Sequence, residues 1–307
     1  MRIIFFGTPE FCLPSLQFLN VSSLVDLCLV VSMPDRPAGR GQQLKSPPVI
    51  EFCKEKQIPY LQTEHINKDA IALDAIKKIK PDLIIVLAFA QFLSKEVLAI
   101  PKIGCFNIHT SLLPRWRGAA PIQHALLNGD QSTGVCIQRM VSKMDAGDIC
   151  INRTIPLRAH DQQLSLTTRL QYLCVEALDE FIFAAYSQSL TFTPQDESKV
   201  TLAPEIKKDD GRVDFKNESA AEIISKYRAY TFWPGIFTFV GGKRLKLIKI
   251  SEISTECAQE GFANFQGQLV VKCHRGVLRL EQIQWEGKKP VFDYEYLRSH
   301  DINELNH

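Results

Sequence analysis

Leu83–Ala90 is a run of eight residues without one polar side chain, and it follows a stretch of helical character, Asp69–Lys80. An unbroken apolar run of that length, rather than an alternating one, is what a strand covered on both faces requires. Such strands belong to parallel sheets, whose crossover connections lay helices across both faces. The same texture recurs along the first half. Ile3–Phe6 and Val25–Ser32 are short runs rich in β-branched and aromatic residues, with Glu10–Leu19, of helix length, between them; Ile103–His109 is a further strand. This alternation predicts an α/β fold with a doubly wound, mostly parallel sheet. Ligands bind such sheets outside the carboxyl ends of the strands, which directs attention to the residues around His109.

The chain's 307 residues suggest about two domains. The amphipathic stretch Leu164–Tyr186 reads as the last helix of a first domain, residues 1–187. Residues 188–206 are polar, broken by Pro194 and Pro204, and read as an extended linker. Residues 207–307 differ in texture: one helical stretch, Ser219–Tyr230, and short strands at Ile236–Val240, Arg244–Ile250, Gln268–Lys272 and Val277–Gln282. Gly241-Gly242 is a hairpin signal between two of these. A small β-barrel of the OB-fold sort fits this pattern, and such barrels often bind nucleic acids.

Several functional classes lose support. The net charge is only +2, too small to announce a nucleic-acid binder by itself. The charge is segregated, however: residues 206–250 hold ten Lys/Arg against five Asp/Glu, whereas 251–307 hold six against nine. The eight-residue apolar run falls far short of the roughly 20 needed to cross a bilayer. Only four apolar residues precede the first turn, too few for the core of a signal peptide. That turn, Gly7-Thr8-Pro9-Glu10, is not GxGxxG, and no GxxxxGK[ST] occurs, which disfavours dinucleotide chemistry and nucleotide hydrolysis. The nine cysteines are scattered without a CxxC pair, so a metal ribbon is unsupported and reduced, buried thiols are expected. No metal is expected.

The densest chemistry lies in Gly104–Pro121. Asn107 and His109 are two apart on a strand, so their side chains leave the same face. An amide can donate to a developing oxyanion, and an imidazole can carry a proton or a charge. Spacing alone leaves the alternative of a turn cap and a satisfied core imidazole. Lys143-Met144-Asp145-Ala146-Gly147-Asp148 supplies carboxylates beside a glycine, either to orient a histidine or to form an Asx-turn between strands Gly134–Met140 and Asp148–Ile155. The loop Pro34–Gly41 carries Arg36 and Arg40, suited to phosphates or to a solvated surface.

Asn107-Ile108-His109, then Ser111-Leu112-Leu113-Pro114 and Gly118, with Asp145 downstream, resembles the N10-formyltetrahydrofolate-dependent formyltransferase superfamily. The Pro-Asp-Arg-Pro-Ala-Gly-Arg-Gly loop, the string Leu112–Gln123 and Trp233-Pro234 resemble the methionyl-tRNA formyltransferases in particular. The resemblance covers essentially the whole chain. It implies a Rossmann-like catalytic domain, a linker and an OB-like barrel that helps to hold tRNA. It implies a catalytic trio of Asn107, His109 and Asp145. It also implies a folate pocket lined by Ser111, Leu112, Leu113 and Pro114, with Ala88 and Phe89 in its wall. Thr110 stands where relatives often carry Gly or Ala, and Ala88-Phe89-Ala90 where they often read Ala-Tyr-Gly. The implied donor is 10-formyltetrahydrofolate and the implied acceptor methionyl-initiator-tRNA, whose acceptor end the resemblance gives to Arg40. Arg36 is expected to flank it, and Lys207, Lys208, Lys243 and Arg244, in the basic part of the C-terminal module, are expected to contact the tRNA. A formyltransferase acting on a small amine or amino-sugar nucleotide is the alternative. A monomer of the bacterial cytoplasm is expected.

Overall fold

The computed structural model describes residues 1–38, 42–253 and 260–306. The chain forms two compact units. One comprises Met1–Pro121, Ser132–Pro156 and Thr167–Ala203; the other comprises Ile122–Gln131, Leu157–Leu166 and Pro204–His307.

The first unit is built on strand β1 (Arg2–Gly7), helix α1 (Leu13–Val21) and strand β2 (Asp26–Ser32). A two-stranded hairpin, β3 (Arg36–Ala38) and β4 (Gln43–Lys45), precedes helix α2 (Pro48–Lys56), strand β5 (Tyr60–Gln62) and helix α3 (Ala70–Ile79). Strand β6 (Leu83–Leu87), helix α4 (Lys95–Leu98) and strand β7 (Gly104–His109) follow. Then come the short β8 (Arg117–Gly118), strands β9 (Ser132–Arg139) and β10 (Ile149–Pro156), most of the long helix α6 (Gln163–Tyr186), and β11 (Leu202–Ala203); helix α5 (Pro121–Leu127) and the first turn of α6 group with the second unit.

The seven-stranded sheet runs β10-β9-β7-β6-β1-β2-β5. The strands from β5 to β7 are parallel, and β9 and β10 add an antiparallel edge. Every residue of β6 is buried, as its unbroken apolar sequence requires. Helix α3 starts where predicted because the Asp69 carboxylate caps the Ala72 N–H at 3.0 Å. Phe106 faces α6, its ring 4.7 Å from that of Phe181, so the intervening residues Asn107 and His109 of β7 leave the opposite face. The fold is Rossmann-like.

The second unit carries helix α7 (Ala220–Ala229), capped by Ser219, and strands β12 (Ile236–Val240), β13 (Lys243–Ile253), β14 (Phe262–Phe265), β15 (Gln268–Lys272), β16 (Val277–Trp285) and β17 (Val291–Phe292), then helix α8 (Asp293–Ser299). The strands form one antiparallel sheet in the order β12-β13-β16-β15-β14, with β17 on β16. Gly241 and Gly242 make the β12–β13 turn at φ 54° and 76°, the left-handed backbone for which a Gly-Gly pair is suited. Among the described residues, no helix is long and apolar enough to cross a membrane.

Candidate active site

The sheet presents Asn107 and His109 at the carboxyl end of β7, and the β9–β10 connection brings Asp145 to both. Asn107 Nδ2 donates to Asp145 Oδ1 at 3.3 Å, and His109 Nδ1 lies 3.7 Å from Asp145 Oδ2. The carboxylate is further held by Gln138 Nε2 on Oδ1 at 2.9 Å and by the Gly118 N–H on Oδ2 at 3.0 Å. His109 is 6% exposed, and its Nε2 donates to the Trp116 carbonyl at 2.9 Å. A carbonyl oxygen only accepts, so the ring carries a proton on Nε2. Its other nitrogen, Nδ1, faces the Asp145 carboxylate without a hydrogen bond to it. Asn107 thus spends one amide hydrogen on Asp145.

Two backbone features shape this arrangement. Asp145 sits at φ 50°, a left-handed conformation uncommon for a residue other than glycine. Gly147 packs so closely that a Cβ would fall 1.7 Å from the Arg139 carbonyl oxygen. The β9–β10 turn can therefore press Asp145 against β7 only with glycine at 147.

The residues predicted to line the pocket follow the carboxyl ends of β7 and β6. Ser111 is fully buried and its hydroxyl donates to the Arg115 carbonyl at 2.6 Å. It therefore braces the turn after β7, Leu113 is buried beside it, and Leu112 and Pro114 are half-buried. Ala88 stands exposed at φ 47° just after β6, and Phe89 packs edge-on against Phe6 at 5.1 Å. Both strand ends thus open toward the same rim of the sheet. Cys105 and Cys136, on the strands bearing the site, are pushed up to about 12 by burial, which removes them as thiolate nucleophiles. Among the described residues, no three His, Cys, Asp or Glu side chains gather as metal ligands.

The basic residues are dispersed. Arg36, on the β3–β4 hairpin, pairs with Glu64 at 2.6 Å, and Arg40 lies outside the described residues. Lys207 and Lys208 are exposed at the start of the second unit's terminal segment. Lys243 opens β13, and the Arg244 guanidinium lies 3.7 Å above the Phe237 ring, with Arg212 over Phe239 at 5.6 Å.

Spacing did not reveal Gln138, Gln195 or the role of Arg117. Gln195 lies in the stretch expected to be a linker. Its Nε2 is 2.8 Å from the Asp145 carbonyl oxygen and 2.7 Å from that of Gly147. The same stretch is stitched to the site: Trp116 N–H donates to Thr201 Oγ1, Arg117 N–H to the Thr201 carbonyl, and β11 pairs with β8. Only Arg117 lay within a motif string. Gln195 is 50 residues from Asp145, and no local pattern joins them.

The Formyl transferase family matches residues 1–182, and the Formyl transferase C-terminal domain matches residues 205–301. A methionyl-tRNA formyltransferase of Geobacter metallireducens is 40% identical over 299 residues, covering 97% of this chain and 95% of that protein. The chain belongs to the methionyl-tRNA formyltransferase family. A methionyl-tRNA formyltransferase of Thermotoga maritima is 37% identical across 96% of this chain and 94% of its own length. Among solved structures, an N-formyltransferase from Helicobacter canadensis, in complex with folinic acid and dTDP-3-aminofucose, superposes with a TM-score of 0.69. It is 17% identical, covering 93% of this chain and all of that one. HypX from Aquifex aeolicus, in complex with tetrahydrofolic acid, gives 0.62 at 19% identity, with 97% of this chain and 47% of that one. These likenesses are to the formyltransferase fold.

Proposed function

We propose that this member of the family transfers the formyl group of 10-formyltetrahydrofolate to the α-amino group of methionyl-initiator-tRNA, and that Asn107, His109 and Asp145 carry the reaction. The supporting observation is the convergence of these three side chains at the carboxyl end of β7. The nucleophile is the neutral amine. A free α-amine titrates at about 7.7–8.0, and esterification of its carboxyl lowers that further, so no strong base is required. Attack on the formyl carbon places negative charge on the formyl oxygen. The remaining Asn107 amide hydrogen and protonated His109 stabilise it, and their value lies in being oriented before the charge develops. Asp145 lies beside the His109 ring and receives the amine proton through water; the departing N10 of the folate takes up a proton as its bond to the formyl carbon breaks.

The donor's pocket is formed by Ser111, Leu112, Leu113 and Pro114 after β7 and by Ala88 and Phe89 after β6. Ser111 contributes shape rather than its hydroxyl, which the Arg115 carbonyl already occupies. Residues 1–187 form the catalytic domain, 188–206 the connection and 207–307 an OB-like module for tRNA. Arg36 and Arg40 flank the acceptor end, and Lys207, Lys208, Lys243 and Arg244 meet the phosphate backbone. The reaction needs no metal, takes place in the bacterial cytoplasm and requires only one copy of the chain.

The test is one assay of the full chain with 10-formyltetrahydrofolate and methionyl-tRNA, reading N-formylmethionine after ester hydrolysis. Formylation of charged initiator tRNA over elongator tRNA is expected. Donor binding without product, followed by turnover on an amino-sugar nucleotide, would overturn the acceptor assignment.

A further inference from the structure

We infer that Gln195, locked in place by Arg117, is a positioning residue for Asp145. This rests on the reading of Asp145 as part of the reacting centre. The Gln195 side-chain oxygen accepts from Arg117 Nε at 3.0 Å and Nη2 at 2.8 Å. Its Nε2 faces three acceptors: the carbonyls of Gly147 at 2.7 Å and Asp145 at 2.8 Å, and Gln138 Oε1 at 3.2 Å. Two hydrogens serve three acceptors, so the longest contact shares one of them.

The orientation of this amide has one solution. Turned over, it would set an NH2 group against a guanidinium, which only donates, and an oxygen against two carbonyls, which only accept. Arg117 is itself 4% exposed, and its charge is met by Glu197 at 2.7 Å. The same logic passes one residue further. With Gln195 Nε2 beside Gln138 Oε1, the Gln138 amide must direct its own NH2 toward Asp145, where it donates at 2.9 Å. Arg117 therefore determines which way two successive amides point. Together they hold the Asp145 carboxylate and also its left-handed backbone, which residues other than glycine adopt only when their surroundings impose it.

The decisive variant is Gln195→Glu. It keeps an oxygen for Arg117 and replaces the donor by an oxygen facing two carbonyls, so the turn holding Asp145 is pushed out of place. Misplacement of a reacting group by about 1 Å can cost on the order of 100-fold in rate. We expect kcat on methionyl-tRNA to fall about 10- to 100-fold, with both KM values within about threefold. Gln138→Leu removes only the middle amide and should reproduce the kcat loss; it carries the test if Gln195→Glu folds poorly. Normal kcat in both variants, or a loss confined to KM, would overturn the inference. Asp145→Asn run beside them separates the two readings. If it retains turnover, the role given to Asp145 fails; if it alone is inactive, only the role of Gln195 fails.

Discussion

Asn107 and His109 share a face because a strand alternates, which drew attention to this strand end although spacing alone left a turn cap and a core imidazole open. The third member was harder to place. Asp145 lies 38 residues beyond Asn107, and only the family resemblance joined them before the hydrogen bond did. Gly147 shows why the position can be specified so tightly. Adding a methyl group there drives a Cβ to 1.7 Å from the Arg139 carbonyl, and no flexible side chain can yield. Gly147→Ala is therefore expected to cost about 1–3 kcal/mol of stability, as overpacking does, and to lower kcat as well. Urea unfolding and steady-state kinetics on the purified variant check both. Unchanged stability and turnover would show that the turn can shift without moving Asp145.

Elements were readable wherever burial sets the pattern. The β6 run is apolar because both its faces are covered, and β12 and β15 coincide with their predicted spans. The antiparallel edge, β9 and β10, emerged as two strands about an Asp/Gly turn, and its connection does hold Asp145. The polar stretch before β11 was not readable as part of the site, because Gln195, Glu197 and Thr201 make contacts whose partners are distant in sequence. Its ion pairs have a pH signature. Hydrogen bonds from Arg117 and then Lys143 lower the Glu197 pKa from 4.5 to about 2. A group depressed on folding adds stability above its unfolded pKa, and that stability is lost as pH falls through the folded value. The stability difference between wild type and Glu197→Gln, open above pH 4.5, is thus expected to close as pH approaches about 2. Urea denaturation across that range measures it, and a gap independent of pH would show that Glu197 does not titrate with Arg117.

For the whole molecule, the net charge of +2 concealed a segregation that local counting recovered. The β12–β13 hairpin carries aromatic rings under Arg244 and Arg212, with Lys243 beside them, a surface suited to a phosphate backbone. Reversing Lys243 and Arg244 to Glu is expected to raise the KM for methionyl-tRNA while leaving donor KM unchanged, and to flatten the salt dependence of that KM. An equal loss for both substrates would contradict this division of labour. The account as a whole turns on whether Asn107 and His109 act on the formyl group. Single-turnover transfer by Asn107→Ala and His109→Ala, with both substrates shown to bind and both variants shown to be folded, measures that directly. Loss of one oriented donor should slow transfer by about 100- to 1,000-fold in each; near-normal transfer in folded protein would contradict the account.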